Sequence, residues 1–173
     1  MIRLEEIGFG VTLIVASAQT LDAEDVGGAA FATLLSLATP TSWPPEYNDA
    51  DSRAWMRRML ADPAAETGYG SWYVVADGRP VGIAGYKGPP DTSGEVEVGY
   101  SIVIEARRKG YASGAVRLLV ERAFRDARVA SVVAETTPEL PGSQRVLEST
   151  GFQLISRMPD AEHGEILRYR RSR

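Results

Sequence analysis

Apolar residues recur at helical spacing most clearly between Tyr111 and Ala127. Small and apolar side chains return there every three or four positions, which predicts an amphipathic helix with one buried face. On its polar side Arg117, Glu121 and Arg125 follow one another at intervals of four residues, a spacing that stabilises a helix through paired charges. The residues predicted to face the core are Ala112, Ala115, Val116, Leu119, Val120, Ala123, Phe124 and Ala127.

Strands are predicted where apolar residues alternate with polar ones or run together. Val96, Val98, Tyr100 and Ile102 alternate with polar or small residues, the period of a strand with two distinct faces. Asp77-Gly78, between two apolar runs, is a strong hairpin signal. The predicted strands are Phe9–Ala16, Ser71–Ala76, Arg79–Tyr86, Glu95–Ile104, Val129–Thr136, Phe152–Arg157 and Glu165–Arg170, the last two as a hairpin.

Three further helices are predicted. The first runs from Leu21 to Leu37, with Asp22 as a cap and a weak middle at Gly27-Gly28. The second covers Asp51–Leu60, and the third covers Ser143–Thr150 before a C-terminal glycine, Gly151. The order of elements, with meandering strands first and one strand-helix-strand crossover later, predicts a single α/β domain over residues 1–173, with three layers around a mixed sheet.

Composition excludes several classes of protein. The chain has 173 residues, of which 44% are apolar and 24% charged, as in soluble globular domains. It contains no cysteine, so disulfides and thiolate nucleophiles are excluded. A net charge of −4 argues against bulk nucleic-acid binding. We interpret the basic end of the chain, residues 168–173, as a solvated tail, with a contact to an anion as the alternative.

Location is predicted from what the sequence lacks. No run approaches the roughly 18 apolar residues that a membrane span needs. The start, Met1-Ile-Arg-Leu-Glu-Glu6, lacks the basic and apolar segments of a signal peptide. We therefore expect a cytoplasmic protein that does not bind membranes.

The segment Glu105-Ala-Arg-Arg-Lys-Gly-Tyr-Ala-Ser113 joins a predicted strand to the long helix. The first turn of a helix has unpaired N–H groups and a positive dipole end, which suit a phosphate. Gly110 allows close approach of a ligand, and Arg107, Arg108 and Lys109 add positive charge. The residues alone leave two interpretations open: a site for a phosphate-bearing ligand, or a glycine turn flanked by solvated cations. Neither a P-loop nor a dinucleotide fingerprint is present.

Two motifs resemble those of the GNAT N-acetyltransferase superfamily. Arg107-x-x-Gly110-x-Ala112 is similar to its Gln/Arg-x-x-Gly-x-Gly/Ala signature, and it follows a strand with Val98-Gly-Tyr100. Downstream, Ser143-Gln-Arg-Val-Leu-Glu-Ser-Thr-Gly-Phe152 resembles the closing element of that superfamily. The similarity is dense from about Trp72 to Phe152, and the branch it most resembles contains the ribosomal-protein N-terminal acetyltransferases.

The resemblance implies a fold, an acyl donor and a mode of transfer. The fold is a three-layer α-β-α domain in which the strands ending near Ile104 and Thr136 splay apart. Acetyl-CoA is the implied acyl donor, with no metal, and the acetyl group passes directly to a primary amine in a ternary complex. The residues implied to hold the donor are Ile102, Val103 and Ile104 along the pantetheine arm, with Arg107, Arg108, Lys109, Gly110, Tyr111, Ala112 and Ser113 around the pyrophosphate.

Direct transfer needs a base, because an alkylammonium group with a pKa near 10 is protonated at neutral pH. Glu97 matches the acidic position before Gly-Tyr that often serves as base in the superfamily, acting through a water. The alternative is an ordinary strand carboxylate, and Glu95, on the same face, is the reserve candidate.

An oxyanion donor and an acid are also required. The resemblance implies a backbone N–H near Ile102 or Val103 as the donor. Many relatives use a tyrosine as the acid, at the position that is Leu147 here. Ser143 is our substitute, and its alternative role is that of a helix cap. Leu140 replaces an asparagine of the superfamily, which removes one expected contact to the CoA arm.

The acceptor site is predicted from the segment between the first two helices, which shapes substrate access in this superfamily. Trp43 and Tyr47 are candidates there, and Tyr100 is a third candidate that could equally belong to the core. We assign Trp55 to core packing. His163, the single histidine, is assigned to a surface turn, since one histidine makes no zinc site.

Three functions fit these observations. The leading hypothesis is an acetyltransferase that acts on an amine-bearing small molecule or a protein N-terminus. A non-catalytic acyl-CoA-binding or sensing module of the same fold is the alternative, because the tyrosine and the asparagine are missing. A nucleotide-dependent transferase is the third, although the sequence offers no clear pair of metal-binding carboxylates. Dimers are common in the superfamily, so a homodimer stays an open expectation.

Overall fold

The computed structural model describes residues 4–62 and 65–173. The first three residues, which contributed to the prediction that a signal peptide is absent, lie outside these ranges. Within the described ranges, no helix is long and apolar enough to cross a membrane.

Eight strands form one sheet in the order β1-β2-β3-β4-β5-β6-β8-β7. All neighbours pair antiparallel except β5 and β6, which are parallel and joined by a helical crossover. The strands are β1 (Glu5–Gly8), β2 (Val11–Val15), β3 (Ser71–Ala76), β4 (Arg79–Tyr86), β5 (Glu95–Ile102), β6 (Ser131–Thr136), β7 (Gln153–Asp160) and β8 (Gly164–Ser172).

The sheet forks between β5 and β6. These strands pair from Glu95 opposite Ser131 to Glu97 opposite Val133. Beyond that point β5 stays with β4 as far as Ile102, while β6 stays with β8 as far as Thr136. The predicted splay of the central strands is confirmed, and it opens the middle of the sheet to a ligand.

Helices cover both faces of the sheet. The helices are α1 (Ala18–Val26), α2 (Gly28–Leu34), α3 (Ala50–Ala61), α4 (Tyr111–Arg125) and α5 (Pro141–Ser149), with a short 3-10 turn at Ile104–Ala106. The larger core lies between the sheet and α4 with α5, where Leu119, Leu147 and Phe152 are buried. A smaller core on the other face joins Phe31 and Leu35 to Tyr73. The predicted three-layer fold is confirmed.

The structure corrects two predicted elements at the start of the chain. The predicted strand Phe9–Ala16 is preceded by a further strand, β1, and a turn at Phe9-Gly10 separates the two. The predicted helix Leu21–Leu37 is two helices, because Gly27 has a φ of 140° and breaks the helical path. Its cap is Ser17, whose hydroxyl accepts from the N–H of Thr20, and not Asp22.

The basic end of the chain is a strand and not a solvated tail. Residues up to Ser172 belong to β8, which lies between β6 and β7. Arg168 and Arg170 both contact Glu95 on β5, at 2.6 and 2.9 Å. Arg168 and Arg170 therefore connect β8 to β5 through Glu95.

Candidate active site

The turn before α4 is open. Gly110 is the N-cap residue, in the left-handed region with a φ of 84°, and no side chain caps the helix. The N–H of Gly114 is the first to bond back, to the carbonyl of Gly110 at 2.9 Å. The preceding amides, at residues 111–113, therefore remain as donors at the start of the helix. A Cβ at Gly110 would meet nothing within 4 Å, so a ligand can approach this backbone closely.

The three cations before Gly110 differ in their surroundings. Arg107 donates from Nε to the carbonyl of Ile102 at 2.9 Å and from its terminal nitrogen to Glu46 at 2.7 Å. Its side chain therefore braces the end of β5 against the loop before α3. Arg108 and Lys109 are exposed, and neither forms an ion pair with the residues that the structure describes.

A small cavity of about 220 Å³ lies beside this turn. Tyr111 and Asp77 both line this cavity. The hydroxyl of Tyr111 donates a hydrogen bond to the carboxylate of Asp77, at the tip of the β3–β4 hairpin. The Tyr111 side chain is thus held by the hairpin, which leaves the amide of Tyr111 as its contribution to an anion site.

Backbone groups of β5 face the fork in alternation. The N–H of Lys87 donates to the carbonyl of Glu97, and the N–H of Val103 donates to that of Val81. Odd-numbered residues thus turn their polar groups to β4, and Tyr100 and Ile102 turn theirs to the side from which β6 has departed. The carbonyl of Ile102 already accepts from Arg107, so its N–H is the free group at this position.

This alternation changes the predicted backbone contacts. Val103 has its N–H engaged with β4, and Ile104 lies beyond the strand in the 3-10 turn. Of the two N–H groups predicted for an oxyanion, that of Ile102 is the one directed at the fork.

A cleft of about 1040 Å³ opens at the fork on the side of α3. Its walls come from α3, β4, β5, β6, the start of α5 and the β7–β8 turn. The lining of the cleft includes Tyr47, Asp51, Trp55, Tyr100, Glu135, Thr136, Glu139, Ser143, Glu162 and His163.

Ser143 meets Tyr100 in this cleft. Helix α5 begins after Leu140, with Pro141 in its first turn, so the alternative that Ser143 caps the helix is wrong. Its Oγ lies 2.8 Å from the hydroxyl of Tyr100. Burial raises the pKa of Tyr100 to about 12, so this phenol is neutral at physiological pH. Leu147, at the position of the missing tyrosine, is fully buried in the core.

Glu97 lies at the apex of the fork, in the last paired position of β5 and β6. Its side chain is 23% exposed and forms an ion pair with Lys87, which lines the cleft. Glu97 itself is not among the residues that line the cleft, whereas Lys87 is. Glu95 is held by Arg168 and Arg170 and is less available than Glu97.

The structure places the aromatic candidates for the acceptor site in different surroundings. Tyr47 and Tyr100 line the cleft. Trp43 lies away from it, stacked on Phe31 with 5.0 Å between ring centroids, and donates from Nε1 to the buried carboxylate of Glu24. The assignment of Trp55 to the core is wrong, because its side chain is half-buried and forms part of the cleft wall.

Comparison with known proteins settles the family. A family model described as an acetyltransferase (GNAT) domain matches residues 17–153. The chain belongs to the GNAT acetyltransferase family. The uncharacterized N-acetyltransferase YjdG of Bacillus subtilis (strain 168) is 29% identical over 131 residues, 75% of this chain and 77% of the relative.

Solved acetyltransferases share the fold. RimL, a ribosomal-protein alpha-N-acetyltransferase in complex with coenzyme A, superposes with a TM-score of 0.73 at 15% identity, covering 96% of both chains. AAC(6')-Ib in complex with ribostamycin and coenzyme A gives 0.66 at 19% identity, covering 95% of this chain and 94% of that one. The acetyltransferase fold predicted from the motifs is therefore confirmed.

Several cleft residues of this acetyltransferase were not predicted from the sequence. Four carboxylates line the cleft from four separate segments: Asp51, Glu135, Glu139 and Glu162. His163, assigned to a turn, lies in the β7–β8 turn and also lines it. Within the described ranges, no group of acidic or histidine side chains could hold a metal ion. Periodicity carries no signal for these residues, because the cleft joins elements far apart in the chain.

Proposed function

We propose that this protein transfers the acetyl group of acetyl-CoA directly to a primary amine that carries additional positive charge. The observation that carries the proposal is the fork between β5 and β6, with an open turn at Gly110 before α4 and a large acidic cleft at the fork. Acetyl-CoA, when bound, supplies an acetyl thioester.

The donor side of the site suits a diphosphate. Amides of residues 111–113 and the positive end of α4 favour an anion, and the exposed side chains of Arg108 and Lys109 add charge. Because Arg107 is engaged with Ile102 and Glu46, we assign it to shaping the turn. The free N–H of Ile102 faces the fork, where the pantetheine arm would lie.

Three groups divide the chemistry of transfer. Glu97, through a water, accepts the proton that the acceptor ammonium must lose. The N–H of Ile102 is the donor available to a developing oxyanion. The hydroxyl of Ser143, which lines the cleft, is the group available to protonate the departing sulfur.

The acceptor side favours a cation. Lys87 is neutralised by Glu97, and Glu135 by Arg168. Asp51 and Glu139 have no ion-pair partner among the described residues, so they keep their charge for a ligand. An amine with a second positive charge fits this cleft better than a neutral one.

A calorimetric titration tests the donor site. In Gly110→Ala, a Cβ would stand where the diphosphate approaches, and we expect coenzyme A to bind about tenfold more weakly, as for the loss of one charge-assisted hydrogen bond. Gly10→Ala is the matched control, because Gly10 also has a positive φ, 77°, and open space at its Cβ. Both variants take on similar backbone strain, about 1–2 kcal/mol.

The control variant should bind coenzyme A as the wild type does. No heat with wild-type protein would end the proposal, and equal affinities in the two variants would remove the Gly110 turn from the site. Binding without thiol release, over a panel of amines that includes a polyamine and a peptide, would replace the enzyme with an acyl-CoA-binding module.

A further inference from the structure

Two hydroxyls from distant parts of the chain meet at the fork. Tyr100, on β5, places its Oη 2.8 Å from Oγ and 3.2 Å from the carbonyl oxygen of Ser143, on α5. Both residues line the cleft, 43 positions apart in the chain. This contact connects the strand that borders the predicted donor to the helix that lacks the usual tyrosine.

Either hydroxyl could donate in the contact between Tyr100 Oη and Ser143 Oγ. The Ser143 carbonyl lies inside α5, where it is the regular acceptor for the N–H four residues later. Ser143 Oγ is the closer of the two oxygens to the phenol, and the proposed direction is the one in which Tyr100 donates to it. The phenol keeps its proton, because burial raises the pKa of Tyr100. With Tyr100 donating to Oγ, the proton of Ser143 is free to point into the cleft.

We propose that Tyr100 is a positioning residue that orients the Ser143 hydroxyl for proton donation to the departing sulfur. This inference rests on the proposed acetyl transfer. As the C–S bond breaks, its electron pair passes to sulfur and Ser143 gives sulfur its proton. The serine oxygen regains a proton from cleft water, which has received one from the attacking amine, so Tyr100 keeps its own proton throughout.

The tyrosine of the family and this pair would thus reach one result by different routes. Leu147 offers no donor, and its side chain is fully buried in the larger core. A phenol from β5 acting on a serine of α5 restores a hydroxyl donor on the same side of the fork. Serine alone has free rotation about χ1, and a fixed acceptor bond removes that freedom.

The test compares Tyr100→Phe, Ser143→Ala and the double variant. At saturating acetyl-CoA and amine, we expect kcat to fall about tenfold in Tyr100→Phe and about 10²-fold in Ser143→Ala, within the range for general acids. The double variant should match Ser143→Ala, since Tyr100 acts only through the serine. Coenzyme A affinity, measured by calorimetry, should change less than twofold in all three.

A second measurement uses the protein without acetyl-CoA. Unfolding free energies of the four forms should give a favourable coupling between the two hydroxyls, which reports the hydrogen bond independently of turnover. Tyr69→Phe is the matched control: its buried phenol donates to Asp126 at 2.7 Å, away from the cleft lining. That variant should lose stability and keep its kcat.

Separate outcomes identify what has failed. Additive losses of kcat, or a Tyr100→Phe enzyme that loses stability like Tyr69→Phe but keeps full kcat, would overturn the positioning role while leaving acetyl transfer intact. A wild-type protein that releases no thiol would instead overturn the proposed function.

Discussion

Glu97, the base that we propose, lies at the fork and outside the lining of the cleft. The carboxylate lies at the last paired position of β5 and β6, where the backbone is still fixed by hydrogen bonds to both sides. Lys87 lies between Glu97 and the cleft, because it forms an ion pair with Glu97 and also lines the cleft. In the proposed mechanism this carboxylate is held by its ion pair and takes the proton through a water.

Glu97→Gln tests the base. The amide keeps the shape of the side chain and loses its ability to take a proton, so we expect kcat to fall about 10²-fold or more. Coenzyme A affinity should stay within twofold of the wild type. The measurement is the pH–rate profile of thiol release. Glu95→Gln is the matched control: it removes the charge that Arg168 and Arg170 contact but should keep the low-pH limb of the profile, which a general base sets.

A Glu97→Gln enzyme with an unchanged profile would remove this residue from the role. The same loss in Glu95→Gln would mean that the pair acts through the sheet and not through proton transfer.

At the site, the sequence could predict the types of residue present but not the contacts that they make. The turn at Gly110 follows from local chemistry, because a cation-flanked glycine before an amphipathic helix is a local pattern. The engagement of Arg107 with Glu46 depends on residues 61 positions apart. Trp55 was misassigned for a related reason: an aromatic residue on a helix can face a core or a cleft, and only the packing decides.

Strand β1 is an element held by charge as well as by pairing. It lies at the edge of the sheet, with β2 as its neighbour there. Glu6, whose side chain is 14% exposed, contacts Arg122 and Arg125 on α4. The hydrogen bond from Arg125 is the main cause of a lowered pKa for Glu6, and the contact with Arg122 acts in the same direction. These contacts tie the first strand to the central helix.

Acid titration of stability tests this connection. Because the folded protein lowers the pKa of Glu6, its contribution is full above the unfolded value of 4.5 and is lost as pH falls through the folded pKa. Glu6→Gln should reduce the unfolding free energy at pH 7 by about 1–2 kcal/mol. Urea titrations from pH 7 to pH 3 should show the two proteins converging at the acid end.

Glu139→Gln, an exposed change whose carboxylate has no ion-pair partner among the described residues, is the control and should keep the wild-type pH dependence. A constant difference between Glu6→Gln and the wild type at every pH would show that packing, and not ionisation, explains the loss.

Elements were predicted well where periodicity is long and poorly where it is short. Helix α4 repeats its apolar positions over four turns, and its start at Tyr111 was predicted correctly. Strand β1 has four residues, two of them glutamates that disfavour strands, and it was missed. Gly27 was noticed as a weak point, but φ values cannot be read from composition, so the break into α1 and α2 was not predicted.

At the scale of the whole molecule, the fold follows from element order and the cleft does not. Meandering strands and one crossover restrict the sheet to few topologies, and the observed order is one of these. The cleft instead joins α3 to β6, α5 and the β7–β8 turn, which lie roughly 70 to 110 residues further along the chain. Its acidity is a property of that assembly, which a net charge of −4 for the chain does not locate.

The acidity of the cleft gives the substrate proposal its sharpest test. Asp51, on α3, and Glu139, after β6, both line the cleft and have no ion-pair partners among the described residues. For spermidine as acceptor, the variant Asp51→Asn/Glu139→Gln should raise KM about fivefold, since each exposed charge contributes up to about 1 kcal/mol. Salt should raise the wild-type KM in the same direction, because it screens these charges.

A monoamine of similar length provides the comparison, since its single charge is lost when it is deprotonated for attack. Its KM should change little in the double variant. Glu121→Gln removes one negative charge on α4, away from the cleft, and should leave the KM of both acceptors unaffected.

If the double variant raised KM equally for both amines, the carboxylates would be acting on the attacked nitrogen alone, and a second positive charge on the acceptor would no longer be required. An unchanged KM for spermidine would remove the two carboxylates from acceptor recognition.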